Sequence, residues 1–345
     1  MSAAPAPAVA QRAAAPDGEP TPGGVVVVMS TYNGARFVEE QVRSIQGQSF
    51  AAWTLLVRDD GSSDETPAIV ARLAAADARV RLLPPDGRNL GAAASFGVLL
   101  AEAHRSGAGY VFLADQDDVW LPEKLDALLG GVAVLEREHG AHTPLLVHSD
   151  LEVVDEELRP ISPSFVGRGQ DSDGGAWQLG ALLVQNVVTG CAAVVNRALL
   201  DVAVPFPEVA MHDWWLAQCA AATGRIRLEP VVTVRYRQHG RNVVGAKSLR
   251  GILQAAARHP GAWWARGYRN FVGGLGQIAA LHARLASHPA PTARPSAALT
   301  GAYLAALGRP TAAGRVSAAV RLGVGPRSAL FYVLFLARVA VYRPR

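Results

Sequence analysis

Tyr110-Val111-Phe112-Leu113-Ala114-Asp115-Gln116-Asp117-Asp118-Val119-Trp120 runs from a short apolar stretch into three carboxylates within four residues. The apolar part is too short for a helix and reads as a buried strand. The carboxylates then fall at its C-terminal end, where open α/β sheets bind their ligands. Three acids this close repel one another in a low dielectric. A divalent cation relieves that repulsion, and oxygen ligands suit Mg²⁺ or Mn²⁺. The alternative is an acidic turn in which Asp118 caps a helix starting near Leu121-Pro122-Glu123. The stretch by itself leaves both readings open.

The sequence on the N-terminal side repeats the pattern. A valine run at 24–29 leads into Ser30-Thr31-Tyr32-Asn33-Gly34, and an amphipathic helix follows with Phe37, Val38, Val42 and Ile45 on one face. A second strand at 53–57 ends in Arg58-Asp59-Asp60-Gly61-Ser62-Ser63-Asp64 before a helix carrying Ile69, Val70 and Leu73. A third, at 80–83, leads to Asn89-Leu90-Gly91, with a helix over about 93–104. This β-α alternation with fully apolar strands predicts an α/β fold with a mostly parallel sheet. Right-handed crossovers put the strand ends on one side. Tyr32, Asp59, Asp60, Asn89, Asp115 and Asp117 should therefore line one crevice.

Toward the C-terminus the pattern predicts a helix at 121–135, a strand at 145–147, and strand and loop to about 165. Asn186-Val187-Val188-Thr189-Gly190-Cys191 follows, where the glycine marks either backbone near a ligand or a strand bulge. Pro205 and Pro207 mark a loop. Met211-His212-Asp213-Trp214-Trp215 opens a helix to about 223, and a strand at 231–236 runs into Arg237-Gln238-His239-Gly240-Arg241. Beyond 246 the chain reads as Arg-rich helices, broken near Pro289-Ala290-Pro291 and Gly308-Arg309-Pro310.

Composition narrows the class. Half of the 345 residues are apolar, enough for a large core. Residues 1–23 are Ala/Pro/Gly-rich and are expected to be disordered. Cys191 and Cys219 are the only cysteines, so no disulfide framework or zinc spacing exists and a reducing compartment is expected. The N-terminus lacks the pattern of a secretory signal. No apolar run reaches the roughly 18–20 residues needed to span a bilayer. The net charge of +4 hides an asymmetry: residues 247–345 carry 14 basic and no acidic groups, leaving 19 basic against 29 acidic before them. Such a split points to an anionic partner.

Six segments occur in the order seen in one family: Ser30–Gly34, Asp59–Asp64, Asp115–Pro122, Asn186–Gly190, His212–Trp215 and Tyr236–Gly240. On these the chain resembles the family 2 glycosyltransferases of GT-A fold over residues 24–246. It is most similar to the branch of rhamnosyltransferases that build bacterial surface polysaccharides. The resemblance implies a Rossmann-like catalytic domain at 24–246, with 247–345 as a basic helical extension. It implies an inverting transfer, in which an acceptor hydroxyl attacks the anomeric carbon of a nucleoside-diphosphate sugar. One departure is Ser95-Phe96, where the family often has an Arg-Asn pair.

The implied chemistry can be assigned to residues. Tyr32 stacks on a pyrimidine, and the Asp59 carboxylate accepts its N3–H. Thr31, Asn89, Asp115 and Gln116 complete the nucleotide-sugar site, for a dTDP- or UDP-sugar. Asp117 with His239 holds Mg²⁺ or Mn²⁺ against the diphosphate, and Arg237 or Arg241 is the alternative phosphate partner. Asp213, at a helix start whose dipole favours its ionised form, is the general base. His212 as base with Asp213 as its orienter is the rival. Trp214, Trp215, Thr189 and Gly190 are expected at the acceptor site. The acceptor is a glycan or a lipid-linked saccharide, and the donor sugar is L-rhamnose, with glucose, galactose or N-acetylglucosamine as alternatives. A catalytically silent nucleotide-sugar-binding scaffold is the competing class. The basic C-terminal helices are expected either to lie on the cytoplasmic face of the membrane or to pack as a bundle with solvated arginines. No nucleic-acid motif accompanies them.

Overall fold

The computed structural model describes residues 23–166, 178–240 and 257–343. All of the expected disordered tail except Gly23 lies outside them, as do Arg241 and the 246/247 boundary. The described chain forms two compact units. The first holds the residues up to 166, then Val188–Phe206 and 224–240; the second holds 178–187, 207–223 and 257–343. The second unit thus takes in two segments that the sequence boundary at 246 assigns to the catalytic domain.

The first unit is built on one nine-stranded sheet. Its N-terminal half follows the expected alternation: β1 (Val25–Thr31), α1 (Val38–Gln46), β2 (Trp53–Asp59), α2 (Thr66–Ala76), β3 (Val80–Leu82), α3 (Ala92–Arg105) and β4 (Tyr110–Ala114). These four strands are parallel in the order β3-β2-β1-β4. Continuous Val/Leu runs, buried on both faces, drive this arrangement. The register places Thr31 beside Asp59 and Met29 beside Ala114, so the polar strand ends share one edge.

Past β4 the sheet becomes mixed. β5 (Val119–Trp120) and α4 (Lys124–His139) precede β6 (Leu145–Val154), which pairs with β7 (Pro160–Ser162). β8 (Ala193–Asn196) sits antiparallel between β4 and β6, and β9 (Arg225–Arg237) runs parallel to β6 and antiparallel to β5. α6 (Arg197–Ala203) follows β8, its N-terminus capped by the Asn196 side chain accepting from Leu199 N. β9 is far longer than the expected strand at 231–236. Toward its end Val234 and Arg235 pair with β5, and Tyr236 and Arg237 pair with β6.

The second unit is helical: α5 (Leu179–Leu182), α7 (His212–Thr223), α8 (Pro260–Ala286), α9 (Arg294–Leu307), α10 (Ala312–Arg321) and α11 (Ala329–Val341). The buried stripe of α8 (Gly274, Leu275, Ile278, Leu281, Leu285) recurs at helical spacing. Buried amides link the helices: Gln218 donates to the Leu182 carbonyl (3.0 Å), Gln277 donates to Gln218 (3.0 Å), and Ala210 N donates back to Gln277 (3.0 Å). Arg315 is buried rather than solvated, donating to the carbonyls of Val339 (3.1 Å) and Ala340 (2.6 Å) at the C-terminal end of α11. Among the described residues no helix is long and apolar enough to cross a membrane.

Candidate active site

At the shared edge of β1, β2 and β4 the expected residues of the first unit come together. The Tyr32 ring is half exposed (50%), and Gln116 braces its backbone from both sides: Tyr32 N donates to Oε1 (2.9 Å), and Nε2 donates to the Tyr32 carbonyl (3.0 Å). Gly34 makes room for this clamp, because a Cβ there would overlap the Gln116 amide. Asp59 accepts from Thr31 Oγ1 (3.0 Å) and Ser62 Oγ (2.6 Å) on Oδ1 and from Ser62 N (2.8 Å) on Oδ2. A carboxylate has about four acceptor positions, so Oδ2 can take one further N–H.

Asp60, expected above to line the crevice, does different work. It is buried and accepts from Leu90 N and Gly91 N (2.8 Å each), while Arg58 pairs with it and bidentately with Asp86 (2.9 and 3.0 Å). This network fixes the loop that presents the exposed Asn89. Asp86 is held near pKa 2 by the Arg58 guanidinium. Ser95 is part of the same network, accepting from Arg58 (2.9 Å) and from Ser30 Oγ (2.6 Å), which is the local use of the Ser95-Phe96 departure.

The acidic stretch separates into two pairs of roles. Asp117 Oδ2 lies 2.7 Å from His239 Nε2, both side chains largely buried, with the Phe37 ring 5.1 Å from the imidazole. A carboxylate oxygen and an imidazole nitrogen converging this way fit a divalent cation, Mn²⁺ especially. Asp118, by contrast, is wholly buried and does not cap the following helix, which begins at Lys124 after Glu123. It accepts from Arg237 N (3.1 Å), and its ligand atoms, those of Asp115 and the Cys191 sulfur lie within 4.8 Å of one another. Burial, then the charges of Asp117 and Asp115, push its carboxyl well up, and burial does the same to the Cys191 thiol. Both shifts disfavour the ionised forms that ligate a cation, so Asp115 is the member of that trio suited to one. Beneath them Lys124 is buried, donates to the Cys191 carbonyl and sits 3.6 Å from the Trp120 ring centroid; burial lowers its pKa to about 7.

Arg237 is not available for a phosphate. Its guanidinium is buried, donates to the carbonyls of Asp117 (2.8 Å) and Glu156, and pairs with Glu40 (2.5 Å). It orders the loop that carries Asp117. Thr189 and Gly190 lead a tight 3₁₀ turn, Gly190–Ala192, into β8, so the glycine serves a turn rather than a bulge.

Asp213, Asn186 and the tryptophans belong to the second unit. Asp213 is buried in the first turn of α7, where its Oδ1 accepts from Asn186 Nδ2 (3.0 Å) and Trp214 N (2.7 Å). Burial lowers the pKa of the neighbouring His212, partly opposed by Asp213. Trp215 is fully buried and packs in the core with Arg284 5.7 Å from its ring, so it cannot wall an acceptor. Trp214 is half-buried, donates its indole N–H to the Leu182 carbonyl (2.6 Å) and lines a cavity.

The parallel half-sheet with acids at its C-terminal edge is a fold of GT-A type. The fold is shared with Staphylococcus aureus TarS 1-349 in complex with UDP, at a TM-score of 0.51 and 16% identity, covering 92% of this chain and 87% of that one. Residues 26–137 match the family described as Glycosyl transferase family 2. It is 25% identical over 228 residues to the dTDP-rhamnosyl transferase RfbG of Shigella flexneri, covering 63% of this chain and 74% of that protein. It is 29% identical over 193 residues to the UDP-Glc:alpha-D-GlcNAc-diphosphoundecaprenol beta-1,3-glucosyltransferase WfgD of Escherichia coli, covering 56% of this chain and 67% of that one.

Proposed function

We propose that this glycosyltransferase is inverting and metal-dependent, and that it moves L-rhamnose from a dTDP or UDP donor to a hydroxyl of a glycan or lipid-linked acceptor in bacterial surface-polysaccharide synthesis. The observation that carries the reading is the row of groups on one sheet edge: the exposed Tyr32 ring braced by Gln116, Asp59 with an acceptor position to spare, and the Asp117–His239 contact. Tyr32 stacks on the pyrimidine, and Asp59 accepts its N3–H in a charge-assisted bond. Thr31 and Ser62 hold that carboxylate in place, and Asn89 and Asp115 face the nucleoside and ribose.

Asp117, His239 and Asp115 are the residues that would hold Mg²⁺ or Mn²⁺, which when bound neutralises charge on the leaving diphosphate. Asp213 takes the proton of the attacking hydroxyl. Two donors on its Oδ1 fix the carboxylate plane, and the N-terminus of α7 favours its ionised form. Trp214, Thr189 and Gly190 are assigned to the acceptor side. The enzyme works on the cytoplasmic side, with its basic helices against the membrane surface.

The alignment with RfbG over 228 residues supports rhamnose, whereas the likeness to WfgD supports a UDP-glucose donor as the second reading. Nucleoside diphosphate release from dTDP-L-rhamnose, UDP-glucose, UDP-galactose and UDP-N-acetylglucosamine, with Mn²⁺ and an acceptor extract, separates them. Fastest release from dTDP-L-rhamnose is expected. Fastest release from UDP-glucose replaces the sugar, and no release from any donor leaves the scaffold reading.

A further inference from the structure

The second unit encloses a cavity of about 670 Å³, within the size range of small-molecule sites. Its walls are aromatic and aliphatic, and two helix faces supply most of them: Trp263, Phe271 and Leu275 from α8, Phe331 and Phe335 from α11. Arg338, one turn on from Phe335, points its guanidinium into the same space. It lies across α8 at Gly267, where a Cβ would collide with the guanidinium, and 6.0 and 5.7 Å from the rings of Trp263 and Trp264.

Two residues that line this cavity each carry a buried polar atom with no hydrogen-bond partner among the described residues: Nε of Arg338 and Oε1 of Gln185. No described residue lining it is acidic, and the sequence contains no Asp or Glu after Glu229. Burial alone moves the Arg338 pKa down, with no carboxylate opposing it. A partly desolvated cation without a counter-ion is stabilised when an anion completes the site. Arg266, exposed on the same lining, supplies a second positive charge. Asn186 also lines the cavity and donates to Asp213.

We propose that this cavity binds the anchor of the acceptor: an aliphatic or isoprenoid chain against the aromatic walls, with its phosphate on Arg338 and Arg266. The assignment as acceptor site rests on the transferase reading above. Two cations and a planar donor fork match a phosphate's charge and geometry. Gln185 and Asn186 then meet the sugar that follows the phosphate, beside the Asp213 carboxylate.

The test is calorimetric titration of the full chain with decyl phosphate below its micellar concentration, in parallel with decanol, decanoate and inorganic phosphate. Decyl phosphate is expected to bind at least tenfold more tightly than each of the others. Arg338→Gln and Gly267→Leu should each weaken it tenfold or more. Gly267→Leu replaces a glycine with a strong helix former, so α8 persists while the guanidinium is displaced. Equal binding of decanol or of decanoate overturns the phosphate assignment, as does decyl phosphate binding that neither variant weakens. Absence of binding overturns the site. Binding in a protein that transfers from no donor removes its assignment to the acceptor, and that outcome is read in the donor panel, not here.

Discussion

Asp117 and His239 stand 122 residues apart in sequence, yet their polar atoms meet at 2.7 Å. Arg237 makes this possible by donating to the Asp117 carbonyl two residues before the histidine. Replacing Asp117 with Asn keeps the shape but removes the charge that balances a cation. Nucleoside diphosphate release should fall by about 100-fold or more and need far higher Mn²⁺; a metal titration of the release rate checks this. His148 gives a second residue-scale prediction. Burial lowers its pKa to about 4, with Asp150 opposing, and its Nε2 has no partner among the described residues. The unfolded ring titrates near 6.5, so the unfolded chain binds the extra proton first as pH falls. Stability is lost between about pH 6.5 and 4, by about 3 kcal/mol from this group. His148→Phe should flatten that loss, as read from melting temperature against pH.

At the scale of elements, β1, β2 and β4 are held in register by apolar runs, but the loops at their ends need a separate device. Arg58 provides it for the β3–α3 loop, joining Asp60, Asp86 and Ser95 while Asp60 grips Leu90 and Gly91. Arg58→Ala leaves Asp60 buried without its cation and should destabilise the fold by about 3 kcal/mol, measured by urea denaturation. The parallel strands were legible in the sequence because fully buried strands are continuous Val/Leu runs. The mixed half was not: β8 has four residues, and a short apolar run gives no sign of direction. Tyr32, Asp59 and Asp117 were legible because they follow strands. Asp118 was not separable from Asp117 by sequence, since the distinction is burial against Cys191 and Lys124. The cavity residues Gln185 and Arg338 escaped because orphaned atoms appear only when helices pack.

Across the whole chain, the charge asymmetry and the two units do not share a boundary. Residues 178–187 pack on α7, and 207–223 join α8 by packing and by the Gln218–Gln277 amide link, which composition cannot reveal. The 14 basic groups of 247–345 face no acid in their own segment. The full chain should therefore co-sediment with vesicles rich in anionic lipid at low ionic strength and release as salt rises; equal binding to neutral vesicles would remove the charge argument. In the proposed reaction Asp59, Asp115 and Asp117 hold the donor and Asp213 takes the proton. The most direct test of this is the acceptor-dependent turnover of Asp213→Asn, with donor affinity measured on the same protein. A fall in kcat of about 10²–10⁴-fold at unchanged donor affinity is the predicted result. Turnover equal to the unmodified enzyme would contradict it.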